Sequence, residues 1–200
     1  FIVFEHNEHQ VEEAEKLASK MGFKQFRIRK TSRFDYSPDG QDKWRVKNKQ
    51  GNIEYYLEPP SEKYRNPQSK KFQELTKQYG TIENYYDSAN IECLYKNEFR
   101  RIYVNAYAEV FPCCYISDDS YPHVNKIYRD TQEKIFKKYK KDFNSLRKNT
   151  WDQILNHKWL AFDLENSWSS NLENGKLMRC ARTCGKQYSP IKSQSTDKSL

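Results

Sequence analysis

No run of apolar residues in this chain approaches the length of a membrane span. No signal-peptide pattern opens it, no Gly-rich segment is spaced to cradle a phosphate, and no Ser/His/Asp or Cys/His arrangement stands out. Those absences give no support to a membrane-spanning protein, a P-loop nucleotide site or a triad hydrolase. Only 36% of the 200 residues are hydrophobic, against 31% charged, while aromatics reach 15%. The core must therefore rest on Tyr, Phe and Trp more than on Leu and Val, in a chain expected to be soluble and cytoplasmic. That length allows one medium domain or two small ones.

Positive charge is in excess. A net charge of +8 suits an acidic partner such as nucleic acid. The lysines are nevertheless scattered, and the densest cluster, IFKKYKKDF, reads as the solvated face of a helix. Direct nucleic-acid binding is therefore not expected, and neither is a membrane partner.

Five cysteines are present: Cys93, Cys113, Cys114, Cys180 and Cys184. An odd count without a secretion signal argues against a disulfide framework. Buried, inert thiols are one reading. The other is a ligand set, because clustered cysteines bracket one segment at both ends, and a reducing compartment favours ligands over bridges.

The chain opens at Phe1 inside an apolar, strand-like run, FIVFE, and we expect sequence to precede it. Asn7 can cap the following helix, with Gln10 in capping-box position. Val11, Ala14, Leu17, Ala18 and Met21 recur at helical spacing, Gly22 suits a left-handed cap, and FKQFRIRKT alternates as a strand. Strand, helix and strand make a βαβ unit with a parallel crossover, which looks like the end of a larger α/β domain. Residues 35–90 read as a connecting segment, with a hairpin around Gly51 and a short helix from Pro67 to Tyr79 ended by Gly80. A second hairpin turning near Tyr107 and Ala108 is expected in EFRRIYVNAYAEVFPCC. DTQEKIFKKYKKDFNSLRK reads as one helix. TWDQILNHKWLAFDLENSW reads as another, capped by Thr150, with Trp151, Ile154, Leu155, Trp159 and Phe162 on its apolar face. Residues 187–200 read as a polar, mobile tail.

IEC, a hairpin, VFPCC, a W-x-x-I-L helix and C-x-x-x-C-G, in that order, resemble the SPASM/twitch auxiliary-cluster domain of radical S-adenosylmethionine (radical SAM) enzymes. Cys93, fourteen residues, Ala108, four residues and Cys113 match that family's opening pattern, with Ala where Gly is usual. The resemblance covers residues 91–186. It implies that residues 1–34 are the last βαβ unit of a partial TIM-like barrel, followed by a small α+β domain with a β-hairpin and C-terminal helices. It further implies that Cys93, Cys113, Cys180 and Cys184 bind an auxiliary [4Fe–4S] cluster, whose four iron corners each take a thiolate. Spacing from Ala108 selects Cys113 over Cys114, and neighbouring side chains on an extended strand point to opposite faces.

The family's core needs a Cys-x-x-x-Cys-x-x-Cys loop to hold the cluster that cleaves S-adenosylmethionine, and this sequence has none. We therefore expect the C-terminal portion of a longer oxidoreductase or maturase, inactive alone. Its S-adenosylmethionine and second [4Fe–4S] cluster would lie in an N-terminal part. A peptide or small-molecule substrate, and a reductant such as flavodoxin or ferredoxin, complete the implied partners. The competing class is a noncatalytic zinc-stabilised binding module with a nucleic acid such as RNA as its partner. Zinc also accepts four thiolates, but usually from tight Cys-x-x-Cys pairs, and Cys93 and Cys113 are too far apart for one. His6 and His9 lie where the first strand passes into the helix, the active-site edge of a parallel barrel. An ordinary helix-start cluster is the other reading of that pair, and His123 and His157 read as surface residues.

Overall fold

Alternating Phe26 and Ile28 give a strand one apolar face, and that face organises the first of two compact units. The computed structural model describes residues 1–36, 43–119, 126–192 and 194–199. The first unit spans Phe1–Gly80 and Pro190–Leu200, and the second spans Thr81–Ser189. In the first, a 3-10 turn, Glu5–Gln10, runs into α1 (Val11–Lys20), followed by β1 (Gln25–Arg29). The hairpin β2 (Trp44–Lys47) and β3 (Ile53–Leu57) and the helix α2 (Gln68–Tyr79) complete its forward course. Val3, Val11, Phe26 and Ile28 form its buried core, with Ala14, Ala18 and Tyr64 packed against them.

Several elements here differ from expectation. Asn7 sits inside the 3-10 turn rather than capping α1; its Oδ1 accepts from the Phe4 amide and its Nδ2 donates to the Ile2 carbonyl. Leu17 and Met21 are exposed although they fall on the apolar stripe of α1, because the small Ala14 and Ala18 make the contact. The opening run meets β1 through a single parallel bridge, Ile2 to Arg29, and is not a full strand.

The second unit carries α3 (Ile82–Ser88), α4 (Leu94–Asn97), β4 (Tyr103–Val104), β5 (Val110–Phe111), α5 (Cys114–Asp118) and α6 (Lys126–Tyr139). It closes with α7 (Trp151–Leu155), a π-helical turn (Trp159–Asp163), α8 (Leu164–Ser167) and α9 (Met178–Cys184). The chain then returns to the first unit as β6 (Ser195–Ser199). Within the expected polar tail, Ser195–Ser199 is therefore an ordered strand. It pairs antiparallel with β1 from Gln25–Ser199 to Arg29–Ser195, and Arg27 forms a bidentate pair with Asp197. Alternation in β1 is visible in its sequence; the partner strand is wholly polar and leaves no apolar signal.

Among the described residues there are three two-stranded sheets and no closed barrel, and no helix is long and apolar enough to cross a membrane. The stretch expected to be helical through Lys148 stops at Tyr139, where Lys140 and Asp142 take positive φ. Phe143 instead enters the core, and buried Asn144 donates to the Val110 carbonyl at 2.9 Å. The single helix expected from Trp151 also breaks. Thr150 and Gln153 do form a capping box, but the helix ends at Leu155 and resumes as the π-turn and α8. Ile154 and Trp159 are buried, whereas Trp151, Leu155 and Phe162 stay exposed. His157 is half-buried and stacked on Phe143 at 4.5 Å, not a surface group. His123 lies outside the described residues.

The hairpin β4–β5 turns through Asn105, whose Oδ1 accepts from the amides of Tyr107 and Glu109. Ala108 in that turn has φ 61°, the left-handed region that a Cβ disfavours. Ala108→Gly should relieve that strain and stabilise the protein by about 0.5–1 kcal/mol, net of glycine's greater unfolded entropy. Chemical denaturation of the two proteins checks it; a destabilised variant would show that the turn is not strained.

Candidate metal centre

Cys93 and Cys184 are brought together by backbone pairing. Ile91 forms an antiparallel bridge with Gly185, the Glu92 amide donates to the Cys184 carbonyl at 2.8 Å, and the Lys186 amide donates to the Asn90 carbonyl at 2.8 Å. Glycine at 185 is required by space. A Cβ there would stand 2.7 Å from the carbonyl oxygens of Ala181 and Tyr188 and 2.9 Å from the Tyr85 hydroxyl. The Cys-Gly ending of the C-x-x-x-C-G motif thus lets the end of α9 approach the strand-like entry to Cys93.

Cys93 then opens α4 as its N-cap, so its sulfur lies near the free amides of the first turn. The neighbouring Cys184 thiol, and to a lesser degree the amides of Lys96 and Tyr95, draw the Cys93 pKa down to about 6 despite partial burial. Cys184 carries the opposite shift: donating to Cys93 and being buried both hold its proton on. One anionic sulfur stabilised by a neighbouring thiol is the arrangement expected where thiols are crowded together for ligation.

Cys113 and Cys114 part company through backbone conformation. Cys113 is extended, with φ −157° and ψ 165°, and is the N-cap of α5; Cys114 is already the first helical residue. The two are therefore not successive positions of one strand, as the sequence suggested, since β5 ends at Phe111. The outcome for their side chains is similar. Cys113 is buried in the apolar cluster with Phe111, Ile116 and Cys180. Cys114 is half-buried, with its sulfur 3.5 Å from the Tyr95 hydroxyl. Burial pushes the Cys113 thiol up to about 12, opposed by the amides of Ile116 and Tyr115.

Cys180 and Cys184 lie one turn apart on α9, both buried on the same face. Burial drives the Cys180 thiol well above its ordinary range, and Cys113 and Cys93 add electrostatic repulsion. Cys113 feels its neighbour Cys114 and, less strongly, Cys93, and Cys184 feels both Cys93 and Cys180. Each of the four expected ligands thus lies within electrostatic reach of at least two others, brought there by the α4 entry, the hairpin exit and α9. Repulsion among them is removed when cations take the place of their protons.

Among the described residues, no group of three or more His, Cys, Asp or Glu side chains is placed to hold a metal ion. Four thiolates on one zinc ion would need sulfurs only about 3.8 Å apart, as tetrahedral bonds of about 2.3 Å require. A cubane presents a separate iron to each sulfur and so accepts a wider set. The donor chemistry fits such a cluster: four thiols in largely apolar surroundings, with the two carboxylates that act on them, Glu165 on Cys93 and Asp119 on Cys180, each paired to a cation, Lys96 and Arg179.

Two surrounding features give no signal in the sequence. Trp168 packs against the apolar cluster; its Nε1 is buried without a hydrogen-bond partner among the described residues, and its N–H opposes, in small part, the upward shift that burial imposes on the Cys180 thiol. Next to Cys180, Arg179 donates through Nε to the Asp119 carboxylate at 2.7 Å and lies over the Tyr128 ring. His6 and His9 lie in the first unit, both exposed, and His6 stacks on Phe4. They are not brought to the thiols by any contact within their unit.

Comparison of the chain with family models, with curated proteins and with solved structures finds no match.

Proposed function

We propose that the second unit binds an auxiliary [4Fe–4S] cluster through Cys93, Cys113, Cys180 and Cys184, in the service of a radical SAM oxidoreductase or maturase of the SPASM/twitch type. The observation that carries this reading is the convergence of four thiols from three separate elements, with Cys114 set aside against Tyr95. Ala108 adds support, since the position where the family pattern has Gly takes a left-handed φ. The parallel bridge from Ile2 to Arg29 around α1 is consistent with residues 1–34 as the last βαβ unit of the enzyme's barrel.

A bound cluster of this kind supplies one-electron relay or an iron for substrate anchoring. This chain's residues would hold it in an apolar shell, with Phe111, Ile116 and Leu177 limiting water and the α4 and α5 amides facing the sulfurs of Cys93 and Cys113. S-adenosylmethionine and the cluster that cleaves it require a three-cysteine loop that this sequence lacks, so they belong to another part of such an enzyme. Electrons would come from a flavodoxin or ferredoxin, and the substrate would be a peptide or small molecule.

The test is anaerobic purification and reconstitution. A brown protein absorbing near roughly 400 nm, with about four iron and four sulfide per chain, is the expected result. A colourless protein with stoichiometric zinc would replace the reading with a zinc-stabilised module. A colourless protein without metal would leave inert, buried thiols.

A further inference from the structure

Trp151, Leu155 and Ile102 stay 41%, 37% and 38% exposed, although each is an apolar residue on an ordered element or beside one. They do not lie scattered. Together with Trp168 they wall a groove of about 440 Å³ in the second unit, and Cys93 lines the same groove. That volume falls in the range of small-ligand sites, and such sites combine apolar walls with a few polar groups that fix orientation.

The charged groups that keep no ion-pair partner here, among the described residues, are of one sign. Lys96 and Glu165 also line the groove, but they pair with each other and cancel. Arg100 and Arg101 remain, and among the described residues neither guanidinium has a carboxylate partner. Arg100 is held at φ 48°, a conformation that costs a non-glycine residue about 1 kcal/mol or more. Arg101 lies over the Phe99 ring, and its amide is tied to the Tyr95 carbonyl at 2.9 Å. Two adjacent arginines are thus fixed at one groove by backbone constraint, with apolar surface beside them.

We propose that this groove binds an apolar carboxylate of small-peptide size, its hydrophobic body against Trp151, Leu155 and Ile102 and its carboxylate paired with Arg100 and Arg101. Arginine suits the anion because its planar fork matches a carboxylate. The proposal stands on the groove and its charge, and it holds whether or not the thiols carry a cluster. Where they do, Cys93 makes the groove the approach by which a ligand reaches it.

The experiment is calorimetric titration of the full chain with N-acetyl-leucyl-phenylalanine and, separately, with its C-terminal amide, the iron content of each sample being recorded. The acid should bind about tenfold or more tightly than the amide, and its advantage should shrink with added salt. Arg100→Gln with Arg101→Gln should erase the advantage, the acid losing affinity by about tenfold more than the amide does. Arg100→Lys with Arg101→Lys should restore part of it, and Trp151→Ala should weaken both ligands. Equal affinity for acid and amide, no measurable binding of either, or an advantage that survives the double glutamine variant would overturn the proposal. A protein that stays iron-free after anaerobic reconstitution and yet prefers the acid would sink the cluster reading alone. An iron-loaded protein without the preference would sink this one alone.

Discussion

Cys113→Ser is expected to reduce iron and sulfide after anaerobic reconstitution from about four per chain to less than about one, while Cys114→Ser keeps both. The difference follows from one change of backbone conformation. Pro112 fixes the torsion before the pair, Cys113 remains extended, and the helix begins at Cys114. Extended geometry turns the Cys113 sulfur into the cluster of buried residues that contains Cys180. Helical geometry leaves the Cys114 sulfur beside the Tyr95 hydroxyl, and a serine there keeps a hydrogen-bonding partner. Equal loss of iron in the two variants, or loss only in Cys114→Ser, would show that the ligand has been misassigned. Thermal melts of the unreconstituted variants separate a folding defect from loss of a ligand.

Arg179→Met should cost the second unit about 3–5 kcal/mol at neutral pH, the largest stability effect expected of a single polar substitution here. The side chains of Asp119 and Arg179 are only 6% and 13% exposed, so removing the guanidinium leaves a buried carboxylate with only the weaker, through-space attraction of Arg182 to offset its charge. Burial already holds the Asp119 pKa above its ordinary value, although Arg179 pulls it down. A raised folded-state pKa means that Asp119's contribution is fully present below its unfolded pKa and is lost as pH rises through the folded one. Without Arg179 the shift grows. The penalty of Arg179→Met should therefore be largest at neutral pH and shrink as pH falls toward the carboxylate range. Denaturant midpoints at two pH values check this, and Asp119→Asn in the same chain should recover much of the loss. A penalty independent of pH would mean that Arg179 acts through packing on Tyr128 alone.

Legibility from sequence followed the kind of force involved. Thr150 with Gln153, Gly80 after α2 and the turn at Ala108 are local, and each is written in a few adjacent residues. The four cysteines could be grouped because thiols are rare in this chain and their spacing carries meaning. Features set by distant partners were not readable. β6 has no apolar alternation, and its pairing with β1 rests on backbone bonds and on polar side chains such as Asp197. The helix expected through Lys148 yields at Tyr139 because Phe143 and Asn144 gain more from the hairpin and core than from another turn. Ile154 and Leu155 sit at helical spacing from Trp151, yet the helix is too short to bury its whole stripe. Trp168 and Asp119 acquire their roles beside Cys180 and Arg179 only through tertiary placement.

The return of the chain as β6 makes the first unit discontinuous, and that has an entropic consequence. Arg29 and Gln194, joined through their side chains, are 165 positions apart in sequence. With the second unit unfolded, pairing β1 to β6 must close that whole length of free chain. Once folded, the second unit fastens Ile91 to Gly185 and takes its own residues out of the loop. Roughly 70 flexible or separately ordered positions then remain to be closed, which lowers the closure cost by about 0.8 kcal/mol, since that cost rises only with the logarithm of length. Folding order is thereby biased. Ordering the thiol-bearing unit favours completion of the β1–β6 ladder through chain connectivity alone, and loosening it transmits a small, fixed destabilisation to a sheet that shares none of its residues.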